Sequence, residues 1–248
     1  MLSFRRLVAA GLGVFLFYST VVQAAVEMPA ASYTAGLKWL GHASFKWVRG
    51  GVTVYFDPWK IGSQPHDADI ICISHPHFDH LSAADVAKLA KAGTIIVAPA
   101  DCAEKLKAAA VLGTIRVVKP GDTLMVKEAA IEVVPAYNTD KVFHLKQNLW
   151  VGFIVQLDGV RLYHAGDTDL IPEMKLLKVD VALLPVSGTY VMTAEEAARA
   201  ASLLAPKVAI PMHYGSIVGT AADARRFQKL CGSLVVEILP QEKLDGDK

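Results

Sequence analysis

The sequence predicts an α/β fold in which two β-sheets pack face to face with helices outside. Short strand-like apolar runs alternate with short helical segments along nearly the whole chain. The second half repeats the style of the first, with no linker, short repeat or low-complexity tract between them. The hydrophobic share of 53% is enough for a substantial core, as such a layered arrangement needs.

Residues 1–24 stand apart. Met1–Arg6 is a short basic head, Leu7–Tyr18 is almost entirely apolar, and Val22-Gln23-Ala24 offers small residues around a cleavage position. This is the pattern of a secretory signal peptide. The apolar stretch to Val26 is also long enough, at roughly 20 residues, to span a bilayer. An uncleaved anchor therefore stays open, and with it a membrane association. No Cys follows the apolar run, which speaks against a lipid anchor, and Arg5-Arg6 is a weak sign of twin-arginine export. The expected location is periplasmic or secreted. Residues 25–248 are expected to form a single domain.

Leu37–Leu40, Ser44–Val48 and Val52–Phe56 read as strands, the last two joined by a Gly50-Gly51 hairpin turn. Ile70–Ser74 is a buried strand. Ala83–Ala92 has helical spacing, with Ser82 as its N-cap. Thr94–Val97 is a strand, and Asp101–Ala110 a helix capped by Asp101. Thr114–Val118, Leu124–Val126 and Ile131–Val134 are strands, the first two split by Lys119-Pro120-Gly121-Asp122. Val151–Leu157 and Val160–Tyr163 form a hairpin across Asp158-Gly159. Val179–Leu184, Val208–Pro211 and Leu234–Leu239 are strands. Thr193–Leu204 and Ala221–Cys231 are amphipathic helices, the first with a Thr193/Glu196 capping box. The polar tail after Leu239 is expected to fray.

Charge and cysteine usage narrow the partners. Losing Arg5 and Arg6 turns 25 basic against 24 acidic residues into 23 against 24, a net charge of −1. Such a balance gives no footprint for nucleic acid. Cys72 reads as a small apolar filler. Cys102 and Cys231 lie on helix-like segments and could pair, which spacing does not decide; free thiols are the expectation, since the chain lacks the Cys density of a disulfide scaffold.

Residues 75–80 read His-Pro-His-Phe-Asp-His, directly after the apolar run ending at Ser74. Three imidazoles and a carboxylate on a rigid strand end are a metal-ligand pattern. His75 and His77 point the same way along an extended segment and can grip one ion. Asp79 and His80 face another direction after the turn. Further polar residues follow other strands: Asp57, Asp167 and His213, with His144 ahead of the strand at Val151. Alone, each is more often a cap or turn residue.

Together they resemble a known family. The carrying segments are Trp39-Leu40-Gly41-His42-Ala43-Ser44-Phe45, Phe56-Asp57-Pro58-Trp59, the His75–His80 cluster, Ala136-Tyr137-Asn138, Gly166-Asp167-Thr168-Asp169 and Pro211-Met212-His213-Tyr214-Gly215. In this order they are similar to the metallo-β-lactamase fold superfamily, in particular to small bacterial metal-dependent hydrolases related to ascorbate-phosphate lactonases. The resemblance implies a four-layer αββα sandwich of two mixed β-sheets with outer helices. It assigns His75, His77 and His144 to one metal ion, Asp79, His80 and His213 to a second, and Asp167 to a bridge between them. Asp57 would hold the cluster loop from behind. His164 competes with His144 but is expected in the sheet.

The implied chemistry is hydrolysis with two divalent ions, Zn²⁺ first and Mn or Fe as alternatives, activating a shared water. Asp79 is the expected catalytic residue, steering water or passing a proton. His42, Tyr137, Asn138 and Tyr214 are candidates for the substrate pocket. The expected substrate is a small molecule with an ester, lactone, amide or phosphodiester bond. β-Lactamase, phospholipase D-like hydrolase, and a non-enzymatic or redox metal protein on the same scaffold are the competing functions. Substrate, metal identity and oligomeric state are not legible in the sequence.

Overall fold

In the computed structural model, which describes residues 28–242, side-chain alternation decides how the strands are used. Ile70 and Cys72 join one core cluster, whereas Ile71 and Ile73 join another. The same split separates Val54 and Phe56 from Tyr55, and Val97 from Ile96 and Ala98. These strands are apolar on both faces because both faces are covered.

The first sheet holds β1 (Leu37–Gly41), β2 (Ser44–Arg49), β3 (Val52–Phe56), β4 (Ile70–Cys72), β5 (Ile95–Ala98) and β6 (Thr114–Val117), adjacent in sequence order. The second holds β7 (Thr123–Val126), β8 (Ala129–Pro135), β9 (Val151–Leu157), β10 (Val160–His164), β11 (Val181–Pro185) and β12 (Val208–Met212), again in sequence order. Each sheet is mixed. β1–β3 are antiparallel and β3–β6 parallel; β7–β10 are antiparallel and β10–β12 parallel. The larger cluster joins residues of both sheets, including Phe45, Trp47, Phe56, Phe153 and Leu183. The smaller one seats Val86 and Leu89 of α2 (Ala83–Leu89) and Cys102 and Leu106 of α3 (Ala100–Ala108) on the outside of the first sheet. Ala197, Ala201 and Leu204 of α4 (Ala194–Leu204) and Phe227 of α5 (Ala221–Leu230) cover the second. The layers are αββα, as expected. A four-residue helix (Ala30–Tyr33) leads into β1.

Several expectations are corrected. Asp101 is not the cap of its helix: Pro99 occupies that position, and Asp101 instead accepts from Cys102 N and Trp150 Nε1. Leu234–Leu239 is not a strand. Only Val236 bridges to Ala209, because the segment crosses from β12 of one sheet toward β1 of the other. There Gln241 bridges to Trp39, and Glu242 N donates to Trp39 O, so the tail is held through Glu242. The helix after Ser82 stops at Leu89, short of Ala92. All three cysteines are free. The signal-peptide expectation lies outside the described residues.

Asp69 ties the two sheets together at one end. Its Oδ2 accepts from Thr53 N at 2.9 Å, and its Oδ1 pairs with Lys91 Nζ at 3.0 Å and with Lys127 Nζ, from the β7–β8 turn of the opposite sheet. Burial opposes its ionisation, but the bonds from Lys127, Thr53 and Lys91 prevail and bring its pKa down to about 2. An unfolded aspartate titrates near about 3.9. The folded value is the lower one, so the stabilisation is present above about pH 4 and lost as pH falls through about 2. After discounting for solvent around the lysines, it is worth roughly 1–2 kcal/mol. In urea unfolding, Asp69→Asn is expected to cost that much at pH 6, with the gap to wild type closing toward pH 2. A gap independent of pH would contradict this assignment.

Candidate metal centre

Strand direction gathers the site. β1, β3 and β4 run the same way in their sheet, and β8, β10, β11 and β12 run the same way in theirs, because each antiparallel step is undone by the next. Open α/β sheets bind ligands beyond such carboxyl ends. His42 lies in the β1–β2 turn, Asp57 after β3, His75–His80 after β4, His144 between β8 and β9, Asp167 after β10 and His213 after β12. Hydrogen bonds between the sheets join these loops: His213 N donates to His42 O at 2.9 Å, Val151 N to Ser74 O at 3.2 Å, and His164 Nε2 to Ala43 O at 2.8 Å. Gly166 is required here, since a Cβ would meet Val151 O at 2.7 Å and its φ is +63°. His42, Asp57, His144 and His213 also have positive φ. Each costs on the order of 1 kcal/mol, and such strain gathers where a function fixes the geometry.

Three groups of donor atoms lie mutually within 4.8 Å: His75, His77 and His144; His42, Asp79, His80 and His213; and His75, His80 and Asp167. Asp167 sits between the first two. Its Oδ2 is 3.2 Å from His144 Nε2 and 3.1 Å from His213 Nε2, and its Oδ1 is 3.2 Å from His80 Nε2. The far ring nitrogens are anchored from behind. His80 Nδ1 donates to Asp57 Oδ2 at 2.7 Å and His144 Nδ1 to Tyr190 O at 3.1 Å; His75 Nδ1 is 2.9 Å from Ser74 Oγ and His213 Nδ1 3.1 Å from Ser187 Oγ. Anchoring one ring nitrogen turns the other inward, which is how metal-ligating histidines are held. Asp57 also accepts from Ser74 N at 2.7 Å and Ser74 Oγ at 2.6 Å, fixing the root of the cluster.

These residues fit a divalent metal. His80 Nε2, His213 Nε2 and Asp167 Oδ1 are buried without a hydrogen-bond partner, although each faces other donors. Orphaned atoms of this kind cost about 1–3 kcal/mol each. Cations among them would satisfy all three. Burial lowers the pKa of His75, His77 and His144, which keeps these rings neutral and able to ligate. For His80 burial acts the same way, but the carboxylates of Asp167 and Asp57 prevail and raise it well above the usual imidazole value. Burial opposes ionisation of Asp167, yet His213 and His80 hold its pKa well below the carboxylate range.

The structure brings His75, His77, His144, Asp79, His80, Asp167 and His213 together, with Asp57 directly behind them. His164 stays in the sheet at the end of β10, stacked on Phe56 at 5.2 Å, and shares no donor group with the others. None of the four pocket candidates lines the cavity over the centre, although His42 shares a donor group with Asp79, His80 and His213. The His42 side chain is fully buried, and its Nε2 lies 3.0 Å from Asp79 Oδ2. Tyr137 OH donates to Glu173 at 2.9 Å, and Tyr214 stacks on Trp39 at 4.8 Å. Asn138 has no donor left for an oxyanion, because its Nδ2 donates to Phe143 O at 3.0 Å and Tyr190 O at 2.6 Å. The cavity over the centre is walled instead by Phe78, Phe143, Tyr190, Ile217 and Val218. Sequence reasoning missed all five. Only Phe78 and Phe143 carried a signal, as apolar residues beside ligand-type histidines.

Residues 36–213, from just before β1 to the last histidine of the site, match the family model of the beta-lactamase superfamily domain. The chain belongs to this superfamily. As a superfamily member it is 38% identical over 226 residues to a UPF0173 metal-dependent hydrolase of Pyrococcus furiosus, covering 83% of this chain and 97% of that one. That similarity places it in the UPF0173 family as well. A solved Parabacteroides distasonis structure, named as a metal-dependent hydrolase, is 33% identical with a TM-score of 0.71, over 83% of this chain and 93% of that one. Igni18, a metallo hydrolase from Ignicoccus hospitalis, is 25% identical with a TM-score of 0.68, over 84% and 95%. The beta-lactamase superfamily thus accounts for the sandwich and for the order of the six motifs along it.

Proposed function

We propose that this protein is a dinuclear metal-dependent hydrolase of small molecules, cutting an ester, lactone, amide or phosphodiester bond, with zinc as its metal. One observation carries the reading: Asp167 lies between two sets of inward-turned donors, and its own Oδ1, His80 Nε2 and His213 Nε2 are buried there without a hydrogen-bond partner. His75, His77 and His144 would hold one ion, Asp79, His80 and His213 the other, and Asp167 both. Nitrogen and oxygen donors of this kind suit zinc. Bound ions of this type bring the pKa of water to near neutrality and polarise a carbonyl or phosphoryl oxygen.

The chain's own residues do the rest. Asp79 lines the cavity, and its Oδ2 is 3.0 Å from His42 Nε2, so the carboxylate is held facing the substrate. From there it can take a proton from attacking water and return it to the leaving group. Its pKa is lowered despite burial, chiefly by the His42 bond and then by His80, so the group is held as a carboxylate. Asp57 and Ser74 fix the cluster loop, and Tyr190 O fixes His144. The same reading takes residues 1–24 as an export signal, with action in the periplasm or outside the cell.

The test is turnover by metal-loaded protein across lactones, carboxylic esters, nitrocefin, phosphodiesters and phospholipids, with Asp79→Ala as control. Hydrolysis of one class, lost in Asp79→Ala, is expected. Nitrocefin or lipid-headgroup release would select the β-lactamase or phospholipase D-like form. Strong visible absorption with no hydrolysis would favour an iron redox protein. Chelation should abolish turnover and lower Tm, and Zn²⁺ should restore both; with free metal at about 100 Kd the restored stability is about 2.7 kcal/mol. Full activity after exhaustive chelation would contradict the proposal.

A further inference from the structure

We infer that the site selects neutral carbonyl substrates, carboxylic esters or lactones carrying an apolar acyl group, over phosphate esters. The inference rests on the hydrolase reading above and narrows its substrate class. The cavity measures about 270 Å³, on the scale of a small molecule rather than a polymer. Its floor is the ligand set: His77, Asp79, His144, Asp167 and His213. Among the described residues, its walls contain no lysine or arginine.

The walls are apolar and stand in solvent. Phe78 is 66% exposed, and Phe143, Tyr190 and Ile217 are 40–45% exposed. Large apolar side chains gathered around a catalytic mouth, rather than scattered, mark a surface that a ligand covers. The wall is also held in place. Phe143 and Tyr190 meet edge to face at 4.6 Å, and Asn138 bonds the backbone oxygens of both. Tyr190 has a φ of +69° and its carbonyl accepts from His144 Nδ1, so the wall and a floor histidine are built as one unit.

Lysines of neighbouring segments are engaged with other groups. Lys105 Nζ donates to Pro76 O at 2.7 Å, Lys141 pairs with Asp169, and Lys60 lies over the Trp59 ring at 4.2 Å. A phosphate ester brings an anionic group that is best met by such cationic donors, and the cavity lining offers none among the described residues. An acyl chain gains from the walls and asks for no charge. The step needs only water: its oxygen bonds to the acyl carbon, the acyl C–O bond breaks, the leaving oxygen takes one of the water's protons, and the other passes to solvent as the new acid ionises. The products are a carboxylate and an alcohol, or a hydroxy acid from a lactone.

The test uses zinc-loaded protein with p-nitrophenyl acetate, butyrate and hexanoate, bis(p-nitrophenyl) phosphate, and calorimetric binding of acetate, hexanoate and phenyl phosphate. The kcat/KM for hexanoate should exceed that for acetate by about tenfold or more, with the gain mainly in KM, and the phosphodiester should be slowest. Phe143→Ala and Ile217→Ala should each reduce the hexanoate-to-acetate ratio several-fold, while Leu203→Ala, on the outer face of α4, should leave it unchanged. Turnover without chain-length preference, or faster turnover of the phosphodiester, overturns this inference and leaves the hydrolase standing. Absence of all turnover, with hexanoate still bound more tightly than acetate and phenyl phosphate in a Phe143-dependent way, supports the pocket and sinks the hydrolase. Absence of both sinks both.

Discussion

Asp167→Asn is expected to lose at least one of two bound ions and to lower kcat/KM by about a thousandfold or more, the several kcal/mol that metal-assisted charge stabilisation supplies. The substitution keeps shape and removes charge. Asp167 faces Nε2 atoms of His80, His144 and His213 at 3.1–3.2 Å, so no other side chain occupies its position between the two donor sets. Losing that carboxylate leaves each set one oxygen short. The check is metal analysis after desalting, alongside thermal melts with and without Zn²⁺. Wild type should gain stability on metal addition, and the variant should gain much less. Two ions per chain in a folded Asp167→Asn protein would remove the bridging role.

Asp57→Ala should be the most destabilising change at the site. The carboxylate is buried and accepts from Ser74 N, Ser74 Oγ and His80 Nδ1 at 2.6–2.7 Å. Removing it strands these buried donors, a loss of about 3–5 kcal/mol by analogy with broken buried ion pairs. It also frees the His80 ring, and removing such an outer partner typically costs 10–100-fold in metal affinity. Asp57→Asn separates the two effects. It fills the same space, so stability should fall less, yet its amide offers His80 Nδ1–H a poorer partner, so metal affinity should still fall. Urea unfolding measures the first and calorimetric zinc titration the second. An Asp57→Ala protein within about 1 kcal/mol of wild type would contradict this account, since that is the range of an ordinary surface bond.

How far the sequence showed this depends on whether a signal was local. The strands Val52–Phe56 and Val151–Leu157 have the bounds read from sequence, because adjoining turns are written in two-residue signals. Gly50-Gly51 and Asp158-Gly159 take positive φ at both positions, as tight hairpins need. The Thr193 capping box was legible for the same reason. Leu234–Leu239 was not, because its partner, Ala209, is chosen by the tertiary fold. His75–His80 announced itself by density. His144 stood in loop-like sequence, and its place beside His75 and His77 follows from where β8 ends. The four pocket candidates were drawn from motif neighbourhoods, which are dense in structural bonds: Asn138 Nδ2 and Tyr137 OH are spent holding loops. The real walls are ordinary apolar residues in sequence, and only the fold leaves them exposed around the centre.

The central claim is two ions at one carboxylate. Anomalous diffraction at the zinc edge, on crystals of the zinc-loaded protein, tests it most directly. Two peaks on either side of Asp167 are predicted, one enclosed by His75, His77 and His144 and the other by Asp79, His80 and His213. No peak there, or strong peaks only at other histidines such as His66 or His164, would contradict the account.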